Sequence, residues 1–232
     1  MRVVLLPGLD GTGDLFDPLV ARTPDGMTTD VVSYPHNQPL SYSASVRHVT
    51  EALEQLDHDD PFVIAAESFS GPVAVSIAAD KPENLRGLVL CNTFVKNPLW
   101  SWLTYLPIGT VTLLPHNALS VGGFLTGPGM VKQFIDPIRA ANSKVHTEVL
   151  ARRIREVLAV DVREKFKSLA VPVLWLRGLQ DTLITRKALM VAAGMKPDMD
   201  VAEIRGPHLL FQVEPEACWR EMVGFVERRC RH

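Results

Sequence analysis

Four short apolar runs punctuate the chain, each stopped by a glycine, a proline or a polar cluster. They are Val3-Val4-Leu5-Leu6 before Pro7-Gly8, Phe62-Val63-Ile64-Ala65-Ala66 after Pro61, Gly87-Leu88-Val89-Leu90-Cys91 after Arg86, and Val173-Leu174-Trp175-Leu176 after Pro172. None alternates with polar residues, so each reads as a strand covered on both faces, as in a parallel sheet. Residues 30–33 and 201–204 are weaker strand candidates. Between the runs the period changes. Val46, Val49, Ala52, Leu53 and Leu56 form a helical stripe, and residues 73–79 are small and apolar, as suits a helix buried against a sheet. Two more helices are predicted over 181–194 and 214–229. Strands alternating with helices predict a mostly parallel α/β sheet flanked by helices.

One stretch breaks the alternation. Residues 94–168 hold no convincing strand. The first part is apolar and rich in Trp, Pro and Gly; from about 142 to 167 the pattern is an amphipathic, charge-laced helix. An insertion at this place is expected over the carboxyl edge of the sheet, as a lid or cap on a single domain spanning 1–232. Residues 94–127 carry one Lys and no Arg, Asp or Glu, and include Trp100, Trp102 and Tyr105. Pro107, Gly109, Pro115, His116 and Asn117 interrupt this stretch, so it lacks the roughly 20 apolar residues of a membrane span. The aromatic side chains are expected to pack on the core and line an apolar pocket rather than dock on lipid.

Composition narrows the function classes. With 232 residues and 47% hydrophobic side chains, the chain can bury a core without cross-links. A net charge of −2 with no basic stripe argues against nucleic acid as a partner. Cys91, Cys218 and Cys230 make an odd count without metal-ligand spacing, which suits a reducing cytoplasm. The apolar run after Arg2 is too short for a signal sequence, so a cytoplasmic location is the expectation.

The chemistry gathers in loops after the strands. Ala66-Glu67-Ser68-Phe69-Ser70 joins the second strong strand to a helix and matches G-x-S-x-G with small residues in the glycine positions. A serine there sits on a sharp turn that lifts its hydroxyl above the sheet edge. Capping the following helix is the competing role for Ser68. Pro7-Gly8-Leu9-Asp10-Gly11-Thr12-Gly13 follows the first strand, and its backbone can supply donors to an oxyanion. It lacks the third glycine of a dinucleotide loop and the lysine of a P-loop. Asp181 follows the Val173-Leu174-Trp175-Leu176 strand, where it could hold an imidazole or cap a helix. His208, in Gly206-Pro207-His208-Leu209-Leu210, has the order and loop position of a base. His36, after the Asp30 strand candidate, is its nearest rival; His48, His58, His116, His146 and His232 sit on polar faces, in the insertion or at the end.

Taken together, Leu-Leu-Pro-Gly-Leu-Asp-Gly-Thr-Gly, Ala-Glu-Ser-Phe-Ser-Gly-Pro, Leu-Arg-Gly-x-x-Asp and Gly-Pro-His-Leu-Leu resemble the α/β-hydrolase superfamily, and within it small bacterial esterase-type serine hydrolases. The resemblance implies a Ser68–His208–Asp181 triad, an oxyanion hole of the Leu9 and Phe69 N–H groups, and no metal or organic cofactor. It implies a small-molecule carboxylic ester as substrate, with Trp100, Trp102 and Tyr105 favouring a hydrophobic acyl group. Thioesterases, carbon–carbon hydrolases and non-catalytic binders on this fold remain as alternatives. The family's leading antiparallel hairpin has no counterpart before Arg2, which would leave a sheet edge open to pairing with a second copy of the chain.

Overall fold

The computed structural model describes residues 1–56, 60–98 and 131–230. Six parallel strands form one sheet in the order β2-β1-β3-β4-β5-β6: β1 Arg2–Leu6, β2 Thr28–Val31, β3 Phe62–Glu67, β4 Leu85–Cys91, β5 Val173–Gly178 and β6 Asp200–Ile204. The pleat explains the unbroken apolar runs. Val4, Leu6, Ile64, Ala66, Leu88, Leu90, Val173 and Trp175 point into one core. The intervening Val3, Leu5, Val63, Ala65, Val89, Cys91, Leu174 and Leu176 point into a second core on the other face. Both layers are buried, as a parallel sheet with helices on each side requires.

Helices α1 (Asp17–Val20), α2 (Tyr42–Glu54) and α3 (Gly71–Ala79) accompany the first half of the sheet. Between β4 and β5 come α4 (Val131–Ser143), α5 (Thr147–Ala159) and α6 (Arg163–Lys167); then α7 (Arg186–Met195), α8 (Leu210–Val213) and α9 (Pro215–Phe225) complete the chain. Val49 of α2, most of α3 and Phe166 of α6 fill the first core. Leu19, Phe211, Trp219, Met222 and Phe225 fill the second. Ser41 starts α2 by accepting the Ala44 N–H at 3.2 Å.

The departure from strict alternation between β4 and β5 is closed at its base. Asn97 N–H donates to Val160 O at 2.9 Å and Val162 N–H to Val95 O at 2.8 Å, around a single antiparallel bridge between Lys96 and Asp161. Several element ends differ from the sequence expectation: the pattern over 142–167 is divided among α4, α5 and α6, and two other shifts have a clear cause. The second strand runs over Thr28–Val31, two residues earlier than 30–33, because it is a half-exposed edge with no apolar run to mark it. The helix expected from residue 181 starts at Arg186 instead. Asp181 is occupied in a tight turn, its Oδ1 accepting the N–H groups of Leu183 (2.8 Å) and Ile184 (2.9 Å).

Candidate active site

The carboxyl ends of β3, β5 and β6 converge on one group of side chains. Ser68 follows β3 directly and has φ 49°, in the left-handed region that non-glycine residues rarely occupy. A bound strain of this kind persists only where its surroundings enforce it. Here Thr93, just beyond β4, donates its hydroxyl to the Ser68 carbonyl. The next turn, Ser68–Ser70, leads into α3. The Ser68 side chain is half-buried, whereas Glu67 and Phe69 on either side are buried.

His208 lies in the loop between β6 and α8. Its Nε2 is 3.0 Å from Ser68 Oγ and its Nδ1 is 2.8 Å from Asp181 Oδ2. With both Asp181 oxygens engaged, the carboxylate has one orientation, and that orientation sets the imidazole tautomer with the proton on Nδ1. Desolvation pulls the His208 pKa down, but the hydrogen bond and charge of Asp181, with the charge of Glu67, hold it above its ordinary value. The predicted trio is therefore brought together. The backbone carbonyl of His36 accepts the His146 N–H at 2.9 Å. His48 Nε2 is 2.8 Å from Ser33 O. Among the described residues only His208 lies within hydrogen-bond distance of the Ser68 hydroxyl. His58, His116, His232 and the expected pocket residues Trp100, Trp102 and Tyr105 lie outside the described residues.

The loop after β1 runs past the serine. A Cβ placed on Gly8 would lie 3.9 Å from Ser68 Cβ. Among the described residues neither the Leu9 nor the Phe69 N–H has a backbone acceptor. Ser70, standing where the motif has its second glycine, donates its hydroxyl to the Pro7 carbonyl, and its Oγ is 2.7 Å from Tyr34 Oη. The substitution thus ties the serine turn to the loop.

Three participants were not apparent from sequence. Asn92, with φ 42°, donates from Nδ2 to Pro207 O (2.9 Å) and His208 O (2.8 Å), and accepts the Gly178 N–H at 2.7 Å. Its amide binds the ends of β4 and β5 to the histidine loop. Glu67 is buried beneath the site and accepts from Gln212 Nε2 at 3.0 Å. Burial pushes the Glu67 carboxyl up to about 7, against the opposing pull of His208 and the Gln212 hydrogen bond. Among the described residues Glu67 Oε1 and Gln212 Oε1 have no hydrogen-bond partner, and a proton on the carboxyl would supply a donor to these two oxygens. Long-range partners such as these have no local sequence signature.

Among the described residues no cluster of three or more His, Cys, Asp or Glu is arranged to hold a metal ion. Among them too, no helix is long and apolar enough to cross a membrane.

Comparison with solved structures fits this architecture. The chain is similar to a hydrolase from Pseudomonas aeruginosa (TM-score 0.79, 19% identity, covering 97% of this chain and 89% of that one). It is similar to the enol-lactonase from Burkholderia xenovorans (0.80, 18%, 98% and 91%). A third such structure is an esterase from Exiguobacterium antarcticum (0.84, 13%, 98% and 92%). No protein-family model and no curated protein matches the sequence. The fold is that of the α/β-hydrolases: a mostly parallel sheet between helical layers with an insertion after the fourth strand of this chain.

Proposed function

We propose that this chain is a serine hydrolase that cleaves carboxylic esters through an acyl-enzyme on Ser68. One observation carries the reading: Ser68 Oγ, His208 Nε2 and Nδ1, and Asp181 Oδ2 form a continuous line of contacts at 3.0 and 2.8 Å, at the carboxyl edge of the sheet. Nucleophile, base and orienting acid are the parts that such a displacement needs.

In the proposed reaction His208 Nε2 takes the Ser68 hydroxyl proton as Oγ attacks the ester carbonyl carbon. Asp181 remains ionised and stabilises the imidazolium. The carbonyl oxygen, now negative, is held by the N–H groups of Leu9 and Phe69, each such donor being worth roughly 10²–10³ in rate. Collapse breaks the ester C–O bond, and His208 delivers its proton to the departing alcohol. Water, deprotonated by the same imidazole, then attacks the acyl carbon; Ser68 leaves and recovers the proton. No step calls on another group.

The acyl side is proposed to be hydrophobic, from Trp100, Trp102 and Tyr105 in residues 94–168, which we take as a cap on a single catalytic domain. A lactone is an internal ester, so the likeness to an enol-lactonase agrees with the bond class. The test is hydrolysis of p-nitrophenyl esters of increasing chain length by wild type and Ser68→Ala. The expected result is turnover with an optimum above acetate, lost by about 10⁴-fold or more in the mutant. Equal rates for acetate and long acyl chains would remove the hydrophobic pocket; an active mutant would remove the mechanism.

A further inference from the structure

Five consecutive carbonyls of the loop after β1 are each held. Pro7 O accepts the Ser70 hydroxyl. Gly8 O accepts the Gly11 N–H at 3.1 Å and Gly11 O the Tyr34 N–H at 2.8 Å. The two between, Leu9 O (2.9 Å) and Asp10 O, both accept from one nitrogen, Nη1 of Arg153. Nη2 of the same guanidinium reaches Pro35 O at 3.1 Å, and its carbon lies 5.5 Å from the centre of the Tyr34 ring.

Arg153 comes from α5, far along the chain, and is only 3% exposed. Among the described residues no carboxylate forms an ion pair with it, although the charge of Asp10, in the same loop, favours its cationic form. A buried guanidinium is costly unless its donors are used, and here they are used on backbone. The loop has made room for it: a Cβ on Gly11, which has φ +69°, would lie 2.4–2.7 Å from the guanidinium atoms.

The placement bears on catalysis through peptide geometry. In a trans peptide the C=O and N–H point opposite ways. The Gly11 hydrogen bond on Gly8 O therefore aims the Leu9 N–H outward, away from the turn. That turn keeps its shape only while the next two peptides, Leu9–Asp10 and Asp10–Gly11, hold their orientation, and Arg153 fixes both. We propose that Arg153 is a positioning residue that locks the loop so that the Leu9 N–H faces the oxyanion formed at Ser68. This rests on the acyl-transfer reading of the site. It also links the segment between β4 and β5 to the chemistry without any contact with substrate.

The test compares Arg153→Met, which keeps the length and loses every donor, with Arg153→Lys, whose single ammonium cannot span all three carbonyls. Three readouts are taken: steady-state kinetics on a p-nitrophenyl ester, the inhibition constant of an alkyl boronic acid that forms a tetrahedral adduct on serine, and amide hydrogen exchange at Gly11. The expected result for Met is a fall in kcat on the order of 10²-fold with KM within about threefold, a matching loss of boronate affinity and faster Gly11 exchange. Lys should recover part of each. Unchanged kcat and boronate affinity in a folded Met variant would overturn the proposal, as would full activity in Lys if the Met variant does not fold. If the wild type hydrolyses no ester, the function reading fails separately. Gly11 exchange then decides the positioning role: faster in the variants supports it, unchanged overturns it.

Discussion

The Asn92 side-chain amide donates to the backbone carbonyl of His208 at 2.8 Å, so the loop that carries the base hangs from the end of β4. The same side chain accepts the Gly178 N–H at the end of β5, the strand that leads to Asp181. Base and acid thus share one support. Asn92→Ala removes three buried hydrogen bonds and puts Ala at φ 42°. The expected cost is roughly 2–4 kcal/mol of stability, and a displaced imidazole should lower kcat/KM by about 10²-fold. Urea denaturation and kinetics on one ester measure both; a stable, fully active Asn92→Ala would show that the histidine loop stands without it.

The acid limb of the rate profile should lie above the ordinary histidine range. His208 acts as a base only when neutral, and Asp181 with Glu67 favours its protonated form. Hence kcat/KM should rise with pH through an ionisation above about 6.5, the unperturbed value. Replacing Glu67 by Gln takes away one of the charges that favours the imidazolium, so the limb should move to lower pH. Because Glu67 and His208 are both buried at one site, the profile reports the pair rather than either group. A limb unmoved by Glu67→Gln would contradict the charge coupling.

Glu67 also makes a stability prediction. A carboxyl raised in the fold from 4.5 to about 7 binds its proton more tightly folded than unfolded. Its contribution is fully present below pH 4.5 and is lost as pH rises to about 7, a change of roughly 3 kcal/mol. Glu67→Gln cannot ionise. The stability of this variant relative to wild type should therefore improve between pH 4.5 and pH 7.5. Urea midpoints at the two pH values give the comparison, and a constant difference would contradict the raised carboxyl.

Gly71 opens α3 against Thr93. A Cβ there would lie 2.0 Å from Thr93 Oγ1, the atom that donates to the Ser68 carbonyl. Gly71→Ala should therefore destabilise by about 1–3 kcal/mol through overpacking, and should disturb the serine turn enough to reduce kcat. Thermal unfolding and kinetics test it; unchanged values would mean that Thr93 can turn aside freely.

The sequence made some of this legible for physical reasons. β1, β3, β4 and β5 are buried on both faces, so each wrote a continuous apolar run. β2 is an edge of Thr28, Thr29, Asp30 and Val31, and left only a faint trace, two residues out of place. Ser68, Asp181 and His208 could be placed because each occupies a loop after a strand, a position that order along the chain specifies. Asn92, Gln212 and Arg153 could not, because their partners are 86 to 145 residues away and no spacing announces them. The start of α7 was hidden for a local reason: Asp181 gives one oxygen to a turn, which delays the helix to Arg186.

The central claim is that the Ser68 hydroxyl is activated by His208 and Asp181. Its most direct measurement is the mass of the protein after reaction with a fluorophosphonate, followed by peptide mapping. A single stoichiometric adduct on Ser68 is predicted, absent in Ser68→Ala and formed far more slowly in His208→Ala and Asp181→Asn. A folded wild-type protein that takes no adduct, or takes it at another residue, would contradict the account.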